Sequence, residues 1–114
     1  MLKIYHNPRC SKSRQGLALL EESGKEFDVV RYLDDTPSYI ELAAIIGKLG
    51  IQPIELIRKG EAIWKEKFKG TIYSDKELIQ IMVENPKLIE RPIVILDNKG
   101  VIGRPLDNIK NLLG

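Results

Sequence analysis

The sequence predicts an α/β fold in which a mixed four-stranded sheet is formed by a βαβ unit and a ββα unit, with a block of helices inserted between them. Three observations carry that expectation. The chain opens strand–turn–helix–strand, and it closes on an unbroken apolar run, a turn, a second short β-prone stretch and a helix. The residues between, about 36–88, carry helical periodicity and helix-start signals. At 114 residues, 43% hydrophobic and 30% charged, the chain reads as one globular domain spanning 1–114 with an ordinary core.

Each element has its own signal. Residues 2–5 alternate weakly and are β-prone, and His6-Asn7-Pro8 breaks them. Residues 11–23 read as a helix with Leu17 and Leu20 on its apolar stripe and Gly24 as its stop. Residues 27–33, Phe-Asp-Val-Val-Arg-Tyr-Leu, form the second strand candidate, which makes the opening a βαβ unit with a parallel pair. In the middle, Thr36-Pro37-Ser38 introduces a helix over 39–48 with Ile40, Leu42, Ala43, Ile45 and Ile46 apolar. Pro53 suits the first turn of a short helix through Ile57, and 61–68 is a further helical candidate. Ser74 and Glu77 have capping-box spacing ahead of Leu78, Ile79, Ile81, Met82 and Val83. At the end, Pro92-Ile93-Val94-Ile95-Leu96 has the continuous apolar character of a buried strand. A turn at 97–100 joins it to Val101-Ile102-Gly103, and Pro105 starts a helix carrying Leu106, Ile109, Leu112 and Leu113. The summed order is that of a thioredoxin-like fold with a helical insertion.

Composition excludes several classes of function. Eighteen Lys and Arg against 16 Asp and Glu leave a net charge of +2, too balanced for a bulk nucleic-acid binder. No apolar run approaches the ~20 residues of a membrane span. The start runs directly into a strand, so no leader peptide is expected and the chain reads as cytoplasmic. One cysteine rules out an internal disulfide, and with one histidine it argues against a metal site. Any thiol redox chemistry therefore needs a second thiol from another molecule.

That cysteine stands in His6-Asn7-Pro8-Arg9-Cys10-Ser11-Lys12-Ser13-Arg14, at the turn between the first strand and the first helix. A helix N-terminus offers unpaired N–H groups and a positive dipole end. Arg9, Lys12 and Arg14 add charge, and the hydroxyls of Ser11 and Ser13 can donate hydrogen bonds. Such surroundings lower a thiol pKa; a drop of about two units from the ordinary value makes roughly three-quarters of the thiol anionic at neutral pH. A lone cytosolic cysteine is more commonly a buried, inert one, but a core cysteine rarely sits among three cations and two serines. Competing anion-site motifs fail on spacing. Gly24-Lys25 and Gly47-Lys48 lack the hydroxyl residue of a phosphate loop, Gly16 stands where a cysteine phosphatase has its Arg, and Ser13 stands where a dithiol site has its second Cys.

The segment from His6 to Arg14 resembles the active-site segment of the glutaredoxin-coupled arsenate reductase family. Three further segments match that family in order: Leu56-Ile57-Arg58-Lys59-Gly60-Glu61-Ala62, Glu90-Arg91-Pro92-Ile93-Val94, and Val101-Ile102-Gly103-Arg104-Pro105. Ser74 to Leu78 and Glu84-Asn85-Pro86 also fit, so the resemblance covers essentially the whole chain. It implies that Cys10 is the nucleophile, that Arg58, Arg91 and Arg104 bind the oxyanion and its cysteine-bound product, and that His6 lies close to the cysteine and bears on its acidity. Ser11, Lys12, Ser13 and Arg14 complete the expected oxyanion-binding turn. Arg91-Pro92 resembles the cis-proline junction that faces the cysteine in thioredoxin-like folds.

Each of these residues also has a plain structural reading. Arg58 ends a predicted helix, where a cation complements the dipole. Arg91 and Arg104 could be rim charges, His6 a strand-end histidine bonding its loop, and Trp64 and Tyr73 either pocket cover or core. The resemblance further implies no bound cofactor, glutathione as co-substrate, arsenate as substrate and glutaredoxin as partner, without nucleic acid or membrane. Two departures from the better-known branch stand out. Ser-Lys-Ser follows Cys10 in place of Gly-Thr-Ser, and Leu106 stands where many relatives carry a second proline. Two alternatives remain: a regulator like the Spx branch, which binds RNA polymerase, and a glutathione-dependent thiol transferase that ignores arsenate.

Overall fold

The structure, a computed structural model, describes residues 1–114. Its strands are β1 (Leu2–Tyr5), β2 (Asp28–Val30), β3 (Ile93–Leu96) and β4 (Lys99–Ile102), and its α-helices are α1 (Ser11–Glu22), α2 (Tyr39–Leu49), α3 (Asp75–Glu84) and α4 (Asp107–Leu113). Two compact units emerge, one formed by Met1–Asp35 with Arg91–Gly114, the other by Thr36–Glu90.

The first unit holds the sheet, in the order β2-β1-β3-β4. β1 runs parallel to β2, with Ile4 beside Val29, and antiparallel to β3, with Ile4 beside Val94. β3 and β4 form an antiparallel hairpin in which Val94 faces Val101. This is the mixed α/β sheet that the strand signals imply. Leu2, Ile4, Leu20, Val94 and Ile109 form its buried core. α1 turns Ser13, Gly16 and Leu20 inward, three positions on one helical face, and Leu17 is only partly buried. Where the sequence suggested a strand over 27–33, β2 keeps only three residues; Arg31 to Asp35 instead form turns closed by Asp34 and Asp35 N–H bonds to the Arg31 carbonyl. The hairpin is tighter than expected, with Lys99 and Gly100 paired in β4.

Two glycines are required by close approach. A methyl at Gly16 would lie 2.9 Å from Pro92 Cγ, and one at Gly103 would lie 2.8 Å from the same atom and 2.7 Å from Ile109 Cδ1. The Pro92 ring is thus packed against both α1 and the end of β4. The Arg91–Pro92 bond is cis, and so is Arg104–Pro105.

In the second unit, α2 and α3 each begin on a complete capping box. Ser38 and Glu41 close one, Ser74 and Glu77 the other. α2 buries Leu42, Ile45 and Ile46 and leaves Ile40 exposed, and α3 buries Leu78, Ile79, Ile81 and Met82. The two helical candidates between them resolve differently. Pro53–Leu56 is a 3-10 turn, and of residues 61–68 all but Glu61 are helical, Ala62 and Ile63 of the α type and Trp64–Phe68 of the π type, closed by Lys69 N–H to the Trp64 carbonyl at 2.8 Å. The π turn brings Trp64 against Phe68 (5.9 Å between centroids) and Tyr73 (6.4 Å), an aromatic cluster with Trp64 buried. No helix of the protein is long and apolar enough to cross a membrane.

Candidate active site

Pro8 and the Asn7 turn end the path from β1, and Cys10 then caps α1 with extended backbone, its carbonyl accepting from Arg14 N–H at 2.9 Å. Cys10 is nearly buried and forms no disulfide. Burial, the largest single influence, pushes its thiol pKa up. The opposing groups prevail: the Ser13 N–H, a hydrogen bond and the charge from Arg91, and the Lys12 N–H bring it down to about 7. About half of the sulfur is therefore anionic at neutral pH, somewhat less than the sequence suggested.

Two arginines flank the sulfur. Arg104 extends one Nη2 to 3.5 Å from Cys10 Sγ while its Nε donates to the Arg91 carbonyl at 2.9 Å. Asn108 of α4 donates to the carbonyls of Ile102 (3.0 Å) and Arg104 (3.3 Å), fixing the loop that carries this side chain. Although Arg104 makes the contact, Arg91 does more to acidify the thiol, because Arg104 is exposed and water screens its charge. Arg91 Nε and Nη1 are buried and have no hydrogen-bond partner. Guanidinium donors left so are costly, and they are where an oxyanion admitted to the site would find donors.

His6 and Ser13 are both buried and face each other, Nδ1 to Oγ at 2.7 Å, and the same Oγ accepts from Asn7 N–H at 2.9 Å. Burial first, and the charge of Arg31 second, lower the His6 pKa against a hydrogen bond with Ser13 that raises it, so the neutral ring is favoured at pH 7. The Ser13 hydroxyl carries two lone pairs and one proton, so it accepts from Asn7 and still has a lone pair and a proton for Nδ1, the direction of that bond following the imidazole tautomer. Ser13 thus meets the cysteine through its backbone and His6 through its side chain. Of the remaining turn residues, Ser11 and Lys12 are exposed, and Arg14 is exposed with Nη1 bonded to the Pro8 carbonyl at 2.9 Å.

Cys10, His6, Ser13, Arg91 and Arg104 come together within the first unit. Arg58 belongs to the second, where it ends no helix. Leu56–Arg58 runs antiparallel to Leu88–Glu90 through the Ile57–Ile89 bridge, the Arg58 N–H bonding Leu88 O at 2.7 Å and the Glu90 N–H bonding Leu56 O at 2.8 Å. Its side chain forms ion pairs of 3.4 Å with both Glu61 and Glu90. Sequence reasoning did not single out Asn108, Arg31, or Gly16 and Gly103; only the Gly103-Arg104-Pro105 junction carried a hint of the last. A separate concavity lined by Met1, Leu2, Lys25, Glu26, Phe27 and Asp28 sits at the other end of β1 and gathers no nucleophile.

Known proteins share both the sequence pattern and the fold of this chain. The profile of the ArsC family matches residues 5–112. The chain is 43% identical to an arsenate reductase of Neisseria meningitidis over 114 residues, 98% of this chain and 97% of that one. It is 41% identical to an arsenate reductase of Haemophilus influenzae, over 96% of this chain and 97% of that one. The solved structure of an arsenate reductase from Vibrio cholerae superposes with a TM-score of 0.91 at 41% identity, covering 96% and 95% of the two chains.

Proposed function

Since the chain belongs to the ArsC family, we propose that it is an arsenate reductase, an oxidoreductase in which the Cys10 thiolate attacks arsenate and external thiols complete reduction to arsenite. One observation carries the reading: a thiol with a pKa of about 7 lies beside two guanidinium groups, one of which keeps two buried, unpartnered nitrogens.

Arsenate is a tetrahedral oxyanion, and arginine binds such anions by paired, charge-assisted hydrogen bonds while keeping its own charge at any relevant pH. Arg91 supplies the unpartnered donors, and Arg104, anchored by Nε to the Arg91 carbonyl, directs Nη2 towards the sulfur. Ser11, Lys12 and Arg14 line the positive turn. The thiolate attacks arsenic(V) of dihydrogen arsenate, a sulfur–arsenic bond forms, and one arsenate hydroxyl leaves as water, taking the proton of the other. The N–H groups of Ser13 and Lys12 that hold the thiolate also receive negative charge developing at the adduct.

Completing the reduction takes a second thiol, since arsenic gains two electrons as two thiols become one disulfide. This chain has one cysteine. Glutathione is the proposed second thiol and glutaredoxin the protein that returns Cys10 to the thiol by exchange. The test is NADPH oxidation in a coupled assay containing glutathione, glutaredoxin and glutathione reductase, with and without arsenate. Arsenate-dependent oxidation that disappears in Cys10→Ser supports the reading. Oxidation independent of arsenate, or unchanged in Cys10→Ser, sinks it.

A further inference from the structure

We propose that Asn108 is the positioning residue of Arg104: its carboxamide holds the turn between β4 and α4 so that the Arg104 guanidinium is aimed at the sulfur of Cys10. The inference rests on the anion-binding role given to Arg104 above, while its test is read without arsenate. Asn108, Arg104 and Cys10 belong to one compact unit, and the donor in question faces the site, Arg104 Nη2 lying 3.5 Å from Cys10 Sγ. Asn108 Nδ2 lies 3.0 Å from the carbonyl oxygen of Ile102 and 3.3 Å from that of Arg104. One NH2 group carries two hydrogens, and here each has its own acceptor. Both partners are carbonyls, which only the nitrogen of the amide can serve, so the carboxamide has one orientation.

The two bonds bracket Gly103 and Arg104, one at the carbonyl before them and one at the carbonyl just after the Arg104 Cα. Pro105 brings no N–H to this turn, and the side chain of Asn108 supplies donors in its place. Asn108 stands on a fixed base. Its N–H bonds the Pro105 carbonyl at 3.0 Å, and the next residue, Ile109, is fully buried with Cδ1 against Gly103. Arg104 has a second anchor, Nε to the Arg91 carbonyl at 2.9 Å. That bond fixes the far end of the side chain, and the Asn108 bonds fix its root. An exposed arginine with a loose root samples many rotamers, and holding both ends removes that freedom before an anion arrives.

The experiment compares the rates at which iodoacetate, an anion, and iodoacetamide, which is neutral, alkylate Cys10 at neutral pH and low salt. Their ratio cancels the thiolate fraction and reads the positive charge aimed at the sulfur. The proteins are wild type, Asn108→Ala, Asn108→Leu (similar in size, without donors), Arg104→Ala, and Asn108→Ala combined with Arg104→Ala. The preference for iodoacetate should fall by about 2-fold in each Asn108 variant, where the Nε anchor remains, and by more in Arg104→Ala. In the Arg104→Ala background the Asn108 substitution should add nothing, as a group acting through that arginine must. A merely structural role would lower the thermal midpoint and leave the ratio of the folded protein untouched. Asn108 variants that keep the wild-type ratio, or a loss that persists without Arg104, overturn the positioning role; Asn108→Leu decides if Asn108→Ala does not fold. If Arg104→Ala itself keeps the wild-type ratio, the aim of Arg104 fails and the inference goes with it. Arsenate protection of Cys10 is measured alongside, and its half-protecting concentration should rise by about 2-fold in the Asn108 variants. A wild type that arsenate does not protect, with the ratios as expected, sinks the arsenate reading alone.

Discussion

Arg104 holds one nitrogen on the Arg91 carbonyl at 2.9 Å and another 3.5 Å from the sulfur of Cys10. The two arginines around the sulfur are therefore not independent: the backbone of one orients the side chain of the other. Residues 94 positions apart in sequence meet at the sulfur because β3 and β4 return the chain to the end of β1 from which Cys10 departs.

The acidity of Cys10 has a direct signature. The rate of iodoacetamide alkylation should rise with pH about a midpoint near 7. Because the folded thiol ionises at lower pH than the unfolded one, ionisation stabilises the fold above that midpoint, and the contribution is lost as pH falls through about 7. Comparing the denaturant midpoints of wild type and Cys10→Ser from pH 6 to 9 should show the wild-type advantage growing across that interval.

Replacing Arg91 by Ala removes both the hydrogen bond and the charge that acidify the thiol. The alkylation midpoint should move up. KM for arsenate should rise by roughly 10- to 100-fold, the worth of a charge-assisted hydrogen bond. Arg104→Ala should raise KM as well but shift the alkylation midpoint less, since Arg104 is exposed. Equal shifts in the two variants would refute this division.

Ser13→Ala deletes a buried hydroxyl that serves both His6 and Asn7. Unfolding should become easier by about 1–3 kcal/mol. The Ser13 N–H that acidifies Cys10 remains in this variant, so the alkylation midpoint should stay close to that of wild type. A midpoint near that of an ordinary free thiol would show that the hydroxyl itself sets the acidity.

His6 has its pKa held below the ordinary 6.5, chiefly by burial. Protonation therefore favours the unfolded chain, and the stability held by the neutral ring is lost as pH falls below 6.5. Denaturation at pH 5 against pH 7 should show a smaller loss in His6→Asn than in wild type. An equal loss would place the acid sensitivity elsewhere.

Much of this was legible in the sequence, for reasons that are local. The break at Pro8 beside a cationic turn marked Cys10, the apolar run at 93–96 marked the central strand, and Ser74 with Glu77 marked the start of α3. What escaped depends on contacts between distant segments. The Ser13 hydroxyl looked like part of the anion site and is occupied by His6 and Asn7. Arg58 looked like a helix end, and it lies on a bridge whose other half is 32 positions away at Ile89. Residues 27–33 are β-prone throughout, yet β1 pairs with only three of them. Periodicity carries no information about which partner a residue finds.

The Pro92 ring, wedged between Gly16 and Gly103, makes those two glycines a shared constraint on the geometry around Cys10. Neither can acquire a side chain without displacing Pro92, which follows Arg91, or the tip of Ile109, so an alteration away from the sulfur would be felt at the Arg91 and Arg104 guanidiniums. Attempts to recast this scaffold have freedom in the exposed arginines and lysines, and almost none at these two hydrogens.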